Sequence, residues 1–363
     1  MGERPGPVES LGVIEPEFWR GRRVLLTGHT GFKGGWLALW LQSLGSRVHG
    51  ISLAVPTRPS LYEVAQVGRE MAGEAEVDIR DAVALEAAVR QCDPEIIIHL
   101  AAQPLVRLSF AEPRATFETN VMGTVNLLEA ARTAPALRAV VVVTSDKCYE
   151  NRGWEWGYRE DEPMGGHDPY SSSKGAAELV TAAYRRSFFS GGAGAAVATA
   201  RAGNVIGGGD WGPERLLPDL VRAALEGETL RIRNPSSVRP WQHVVNPLGG
   251  YLLLAQALWA SHQNAEGWNF GPPDDDARPV EWVVERMREK WGGRPRWAPD
   301  PGPHPHEAHY LKLDSSRARE RLGWRPTVGL DAALESIVRW YERFDAGAEM
   351  RAVTLEQVRE LTA

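Results

Sequence analysis

Strand-like and helix-like patterns alternate along the first 200 residues of the chain. Two short runs, 95–100 and 139–144, are continuously apolar, which suits strands that are covered on both faces of a parallel sheet. The runs 23–27 and 47–53 also predict strands. Three longer segments between these runs carry apolar residues at helical spacing: 36–44, 81–91 and 113–133. The alternation predicts an α/β fold with a doubly wound parallel sheet.

A glycine-rich turn joins the first predicted strand to the first predicted helix. Gly28, Gly31 and Gly34 are spaced three apart. Such a turn lets the backbone approach a pyrophosphate, and the helix N-terminus behind it presents free N–H groups. A turn without a ligand is the alternative, but the position between strand and helix favours a dinucleotide site in a Rossmann-type sheet. The second strand ends at Ser52 and Leu53 without the expected acid, so these residues leave the choice between NAD and NADP open.

Tyr170 and Lys174 lie four residues apart in a predicted helix that follows Asp168 and Pro169. The spacing puts both side chains on one face of the helix. A nearby ammonium favours a tyrosinate, so we expect Lys174 to lower the pKa of Tyr170 and let the phenol act as a base near neutral pH. A solvated helix that carries the pair by chance is the alternative. The glycine-rich turn upstream favours a catalytic pair.

A short polar string follows the predicted strand 139–144. Thr144, Ser145, Asp146 and Lys147 stand where an open sheet presents its reactive groups. A hydroxyl, a carboxylate and an amine together can position a substrate hydroxyl and manage two protons. The alternative is a polar turn without chemistry.

The pattern changes after about residue 205, where glycines and prolines break the chain into shorter elements. Helical spacing recurs in three segments: 216–226, 280–291 and 330–344. We expect a smaller mixed C-terminal lobe that closes over the carboxyl edge of the sheet. The predicted division is a flexible N-terminal extension at 1–18, a dinucleotide-binding domain at 19–205 to which some later segments return, and mainly a substrate-binding lobe at 206–363.

Composition and charge exclude several classes of function. The 363 residues are 43% hydrophobic and 24% charged, which is ordinary for a globular protein, and a net charge of −6 gives no basic surface for nucleic acid. The apolar stretch 249–260 is too short to span a bilayer, and the N-terminus has no signal-peptide pattern. Cys92 and Cys148 form neither a metal-binding spacing nor a disulfide framework. We therefore expect a cytoplasmic protein that has no metal, no membrane partner and no nucleic-acid partner.

Taken together, these motifs resemble the extended short-chain dehydrogenase/reductases that act on nucleotide sugars. The likeness covers about 22–344 and includes the strings 99–103 and 117–124, which are typical of the family. Asp146 matches an acid of the 4,6-dehydratase branch of this family, and the 4-epimerases usually lack this acid. Lys147 stands where other dehydratases carry Glu, and it resembles the CDP-glucose enzymes. Three further strings resemble the same enzymes: 28–34, 201–211 and 306–314.

The resemblance implies a reaction, a cofactor and an assembly. NAD is implied as the cofactor, CDP-glucose as the nucleotide-sugar substrate, and oxidation at carbon 4, loss of water across carbons 5 and 6, and re-reduction at carbon 6 as the reaction. Tyr170 is implied as the base and Asp146 as the acid. Lys147 acts either as a neutral base at carbon 5 or as a cation beside the enolate, and the sequence leaves both open. A homodimer is implied through two helices, 113–133 and 170–189.

The implied site residues fall into three groups. The catalytic residues are Thr144, Asp146, Lys147, Tyr170 and Lys174. The cofactor-binding residues are Gly28, Thr30, Gly31, Phe32, Lys33, Gly34, Asp78, Ile79, Leu100, Ala101, Ala102, Tyr170 and Lys174. The substrate-binding residues are Gln103, Asn204, Arg239, His306 and Glu307.

Two other functions compete with the dehydratase. One is a 4-epimerase or reductase of the same family, against which Asp146 and Lys147 argue. The other is a non-catalytic dinucleotide-binding protein, which would need no combination of Tyr170, Lys174 and Asp146. For Asp78, a surface carboxylate before a helix is as good an explanation as a contact with adenine.

Overall fold

The computed structural model describes residues 12–192, 194–300, 302 and 311–362. Its strands are β1 Arg23–Thr27, β2 Arg47–Ser52, β3 Gly73–Glu76, β4 Ile96–His99, β5 Ala139–Val143, β6 Ala196–Arg201, β7 Val205–Ile206, β8 Thr229–Ile232, β9 Val238–Pro240, β10 Gln242–His243, β11 Gly267–Asn269, β12 Ala277–Pro279 and β13 Arg296–Pro299. Seven of these strands form one parallel sheet in the order β11-β6-β5-β4-β1-β2-β3. The predicted doubly wound parallel sheet is confirmed.

The α-helices flank this sheet and build the C-terminal lobe. They are α1 Pro16–Trp19, α2 Phe32–Ser43, α3 Leu61–Val64, α4 Ala82–Cys92, α5 Val106–Ala111, α6 Pro113–Phe117, α7 Gly123–Arg132, α8 Pro169–Phe188, α9 Leu216–Glu226, α10 Val245–Ala260, α11 Val280–Lys290, α12 Ser316–Leu322, α13 Leu330–Asp345 and α14 Met350–Thr362. A π-helical turn, Glu118–Met122, joins α6 to α7.

Both faces of the sheet are covered at its centre, where β4, β5 and β6 are buried at every position. In β1, Val24 and Leu26 pack into one core cluster and Leu25 packs into the other, since successive side chains point to opposite faces. The larger cluster includes residues of α2, α10, α13 and α14, and the smaller cluster includes residues of α4 and α7. The sheet is therefore a rigid platform whose carboxyl edge carries the loops after β1, β4 and β5.

The second half of the chain is divided between the lobe and the sheet. Three two-stranded pairs lie outside the main sheet: β7 with β10, β9 with β12, and β8 with β13. In contrast, β11 returns to the main sheet beside β6, where Trp268 lies opposite Ala200. The main sheet is therefore complete at β11, and α11 to α14 follow it in the chain.

The N-terminal segment packs against the rest of the protein from an earlier residue than the sequence pattern predicts. Residues 1–11 lie outside the described part of the chain. Beyond them, the indole of Trp19 is fully buried and donates a hydrogen bond of 2.9 Å to Gln256, and the ring of Phe18 packs against Trp259. The prediction of a flexible extension to residue 18 is therefore wrong for 14–18, because their apolar side chains pack on α10.

Candidate active site

A cavity of about 710 Å³ opens at the carboxyl edge of the sheet. Residues of the glycine-rich turn form one wall, and residues of 202–218 form another. Every predicted catalytic residue and every predicted cofactor-binding residue lines it, together with Asn204. The strand order thus brings together groups that are up to 146 positions apart in the chain, from Gly28 to Lys174.

The glycine-rich turn packs too closely for side chains. Gly28 has φ of 76°, and a Cβ there would lie 2.8 Å from the backbone nitrogen of Ala101. A Cβ on Gly34 would overlap the carbonyl oxygen of Gly28. The helix α2 begins at Phe32 without a side-chain cap, so its N-terminal N–H groups face the cavity region. This cradle fits the pyrophosphate of a dinucleotide.

The second strand lacks the acid that a dinucleotide site usually has, and uncharged polar groups line the cavity where this strand ends. The hydroxyls of Thr30 and Ser52 lie 2.6 Å apart, and Thr30 also donates to the carbonyl of Leu53 at 3.1 Å. Asp78 accepts hydrogen bonds from Arg80, which hold the pKa of its carboxyl below the usual range. Asp78 is therefore a paired carboxylate inside the cavity wall. Its contact with adenine stays a prediction, since the carboxylate is partly exposed and the pair with Arg80 could equally form at the surface.

Tyr170 and Lys174 are both buried at the reaction end of the cavity. Burial raises the pKa of Tyr170 to about 12, and a hydrogen bond from Ser145 only partly opposes it. Burial, and then the charge of Lys33, lower the pKa of Lys174 to about 8. The prediction that Lys174 brings the pKa of Tyr170 towards neutrality is therefore wrong for the ligand-free site, because desolvation of the phenolate dominates.

Two adjacent hydroxyls after β5 have different partners. Thr144 donates to the buried carboxylate of Glu178 at 2.5 Å. Ser145 donates its hydroxyl proton to the carboxylate of Asp146 at 2.9 Å, and the same hydroxyl is the hydrogen-bond partner of Tyr170. The serine is a functional candidate that the motif analysis passed over in favour of the threonine. Its position directly before Asp146 was the available signal.

Two of the three lysines that line the cavity, Lys33 and Lys147, differ in exposure. Lys147 is exposed, whereas Lys33 is partly buried. For Lys33, burial and then the charge of Arg215 lower the pKa to about 8, and the carboxylate of Asp146 is close enough to oppose this shift. Asp146 itself is buried against Gly203, where any Cβ would overlap the carboxylate. Its Oδ2 accepts from Asn204 at 3.4 Å.

The predicted substrate-binding residues are only partly assembled. Asn204 lines both the main cavity and a second cavity of about 200 Å³, which Arg239 also lines. Gln103 lines neither cavity, because its amide donates to Thr116 at 2.9 Å and accepts from the backbone of Leu105 at 2.5 Å. A contact of Gln103 with the substrate stays a prediction.

Two of the predicted substrate-binding residues, His306 and Glu307, lie outside the described residues. Over the ranges that the structure describes, no cluster of three or more His, Cys, Asp and Glu side chains could hold a metal ion. Within the same ranges, no helix combines the length and apolarity that a bilayer span requires. Cys92 and Cys148 are free thiols, and both are buried.

The chain is similar to curated nucleotide-sugar dehydratases over most of its length. It is 52% identical over 344 residues to the CDP-glucose 4,6-dehydratase of Salmonella typhimurium, and the match covers 93% of this chain and 95% of that protein. The dTDP-glucose 4,6-dehydratase of Xanthomonas campestris is 27% identical and covers 87% of this chain and 92% of its own length. The sequence is thus about twice as similar to the CDP-glucose enzyme.

Solved structures and a family match agree with this fold and site. The dTDP-glucose 4,6-dehydratase of Streptomyces venezuelae, crystallised with NAD, superposes with a TM-score of 0.76 at 26% identity and covers 91% of this chain and 99% of its own. Residues 25–337 match the family described as GDP-mannose 4,6 dehydratase. The chain therefore belongs to this family of the extended short-chain dehydrogenase/reductases.

Proposed function

We propose that this chain is a CDP-glucose 4,6-dehydratase that works with a bound NAD. The observation that carries the proposal is the 52% identity, over 93% of the chain, to the Salmonella typhimurium enzyme. The site supports it, because Asp146 and Lys147 lie in one cavity with Tyr170. A 4-epimerase would not need the buried acid.

The glycine-rich turn and its surroundings would hold the dinucleotide. Its N–H groups suit the pyrophosphate, and Thr30, Ser52 and the Asp78–Arg80 pair line the adenosine end. When bound, NAD supplies a hydride acceptor for carbon 4 of the sugar and a hydride donor for carbon 6. Lys174 lies on the same helix face as Tyr170 and is the group that would hold the nicotinamide ribose.

Tyr170 receives the proton of the sugar 4-hydroxyl. It can do so only as the phenolate, after its own proton has been lost, and burial opposes that loss by raising its pKa to about 12. The hydroxyl of Ser145 can turn from Asp146 to donate to the phenolate, which stabilises the negative charge on its oxygen. We therefore assign Ser145, in place of Thr144, as the hydroxyl that positions the sugar beside Tyr170.

Asp146 and Lys147 carry the elimination. Asp146 gives its proton to the departing 6-hydroxyl, which makes water the leaving group. Water takes the proton from carbon 5, and we assign Lys147, which lines the same cavity, the role of a cation that stabilises the enolate formed at carbons 4 and 5. Asn204 stands between Asp146 and the second cavity, where Arg239 would bind the diphosphate with its planar guanidinium.

A homodimer and a cytoplasmic location are further parts of the proposal. Four large apolar side chains are exposed on the helices that relatives use for pairing: Phe117, Met122, Leu179 and Phe188. A second copy would bury them. Two buried free thiols suit a reducing compartment. Sedimentation at micromolar concentration should give a dimer, and Leu179→Glu should shift it towards a monomer, whereas a wild-type monomer would contradict the assembly.

The experiment that tests the function compares four substrates. Purified protein with NAD is incubated with CDP-, dTDP- and UDP-glucose and with GDP-mannose, and products are analysed by mass. We expect loss of one water, fastest from CDP-glucose. Faster conversion of dTDP-glucose would contradict the nucleotide assignment. An isomerised product with unchanged mass would instead support the 4-epimerase.

A further inference from the structure

The second cavity continues the main cavity on the side away from the glycine-rich turn. Four residues line both cavities: Asn204, Glu214, Leu216 and Trp241. Because Asn204 also contacts the carboxylate of Asp146, a ligand that reaches from Asp146 past Asn204 would enter the second cavity. On the proposed function, a sugar at Asp146 and a diphosphate at Asn204 and Arg239 leave the rest of this cavity for the nucleobase.

The size of the second cavity suits one ring. A cavity of about 150 Å³ is enough to hold benzene. The volume here is about 200 Å³, which leaves room for a pyrimidine and its substituents.

The walls of the cavity carry opposite charges. Asp219, in the first turn of α9, contributes a half-buried carboxylate. Arg231 and Arg233, near the end of β8, and Asn234 after it contribute N–H donors. Burial raises the pKa of the Asp219 carboxyl, with the ion pair to Arg222 opposing the shift. A ligand that donates to this carboxylate would lower the cost of its burial.

The edges of the pyrimidines differ in the groups that this arrangement can bind. Cytosine presents an exocyclic amine at carbon 4 and acceptors at N3 and O2, whereas uracil and thymine present a carbonyl oxygen at carbon 4. A carboxylate accepts from the cytosine amine and repels the carbonyl oxygen. Arginine and asparagine side chains can donate to the two acceptors of cytosine.

We propose that Asp219 is a specificity-determining residue that accepts a hydrogen bond from the amine of cytosine and thereby selects cytidine over uridine and thymidine nucleotides. Arg233 and Asn234, which line the same cavity, complete the recognition. The residue acts on the base and takes no part in the chemistry at the sugar.

A purely structural role for Asp219 makes a different prediction. Its ion pair with Arg222, three residues along the same helix, would in that case serve only to stabilise α9. Loss of such a pair would weaken binding of every nucleotide by the same factor. The ratio of CDP affinity to UDP affinity therefore separates the two roles, since these ligands differ only in the base edge.

The experiment measures binding of CDP and of UDP by calorimetry to the NAD-loaded protein. We expect wild type to prefer CDP, and Asp219→Asn to lower the ratio at least fivefold, because a neutral amide oxygen accepts more weakly from the cytosine amine than a carboxylate does and the amide N–H can donate to the uracil carbonyl. Arg222→Met removes the ion pair but keeps the carboxylate, and it should retain the wild-type ratio. Glu226→Gln, an exposed change on the same helix, should also retain it.

Each other outcome overturns the inference. An unchanged ratio in Asp219→Asn, or an equal loss of the ratio in Arg222→Met, would show that the carboxylate does not select the base. Equal binding of CDP and UDP by a wild type that still dehydrates CDP-glucose would refute this inference alone. A wild type that dehydrates no CDP-glucose would refute the proposed function instead.

Discussion

Two groups of polar residues near the carboxyl edge of the sheet differ in their bonding. What we call the lower group consists of Glu178, Thr144, Thr199 and Arg201, and what we call the upper group consists of Ser145, Asp146, Tyr170, Lys174 and Lys33. In the lower group, the carboxylate of Glu178 accepts from Thr144 at 2.5 Å, from Thr199 at 2.7 Å and from Arg201 at 2.8 and 2.9 Å. Arg201 also donates to Tyr149. Although burial opposes ionisation, Arg201 and the hydroxyls hold the pKa of Glu178 below its usual range.

The upper group lacks such partners. Lys33 and Lys174 form no ion pair with any residue that the structure describes, and burial lowers the pKa of each to about 8. Burial raises the pKa of Tyr170 to about 12. Buried charges that are all paired and hydrogen-bonded stabilise the fold, whereas buried ionisable groups without a paired charge indicate a ligand site. The comparison separates Thr144, which belongs to the lower group, from Ser145, which belongs to the upper.

Substitutions in the upper group should have the largest effects on activity. Tyr170→Phe removes the proton acceptor for the 4-hydroxyl, and we expect a loss towards the upper end of the range of about 10² to 10⁴. No absorbance of reduced cofactor should appear on adding substrate. Asp146→Asn should still allow oxidation at carbon 4 but slow the loss of water, so reduced cofactor should accumulate.

The two variants must fail at different steps for this assignment to hold. In Asp146→Asn, solvent deuterium should enter carbon 5 faster than water is eliminated. If neither variant forms reduced cofactor, Asp146 serves oxidation or sugar placement, and its role as the acid is wrong.

A change in the lower group should instead reduce stability. Glu178→Gln leaves the guanidinium of Arg201 buried without its counter-charge, which costs about 3 to 5 kcal/mol of unfolding free energy. Denaturant unfolding measures this loss. Glu86→Gln, which breaks an exposed pair with Arg90 on α4, is the matched control and should cost less than about 1 kcal/mol. Equal effects of the two changes would remove the distinction between the groups.

The adjacent hydroxyls provide a finer test. Ser145→Ala should lower kcat by about 10- to 100-fold, because a hydrogen bond to the developing phenolate is worth roughly 1.5 to 3 kcal/mol. It also removes the donor to buried Asp146, so some loss of stability should accompany the loss of kcat. Thr144→Val keeps the shape but leaves Glu178 one donor short, so it should lower stability by about 1 to 3 kcal/mol and change kcat little. Kinetics and unfolding on both variants check this, and a reversed pattern would return the catalytic role to Thr144.

The sequence predicted most of the sheet and the wall of the main cavity, because both follow from local patterns. The strand β1 and the helix α9 have the predicted bounds, and the spacing of Gly28, Gly31 and Gly34 located the cofactor cradle. Such features depend on periodicity and on residues that are close in the chain. They need no knowledge of which distant side chains meet.

The features that were not predicted depend on distant contacts. The three-residue strand β11 forms only because it pairs with β6. The helix α14 docks through Arg351, which donates to Gln42 at 2.9 Å across 309 positions. The choice between Thr144 and Ser145 depends on Glu178, and the raised pKa of Tyr170 depends on burial. No local pattern contains that information.

The smallest expected effect is a pH dependence of stability. Because the folded pKa of Lys174 is about 8 and the unfolded value is about 10.5, the unfolded chain binds more protons between these values, and unfolding free energy should rise with pH across that window. Relative to Lys174→Met, wild type should gain about 1 to 2 kcal/mol from pH 8 to pH 9.5. Unfolding curves at both pH values check this, and a parallel dependence in the two proteins would show that Lys174 is not buried as an amine.

The most direct test of the central claim follows the hydrogen on carbon 4. CDP-glucose labelled with deuterium at carbon 4 is incubated with the NAD-loaded protein, and the product is analysed by mass and by NMR. The proposed function predicts loss of one water and retention of the deuterium at carbon 6, because the hydride removed at carbon 4 is returned within the same site. Loss of the deuterium to solvent, or a product that retains all its oxygen, would contradict it.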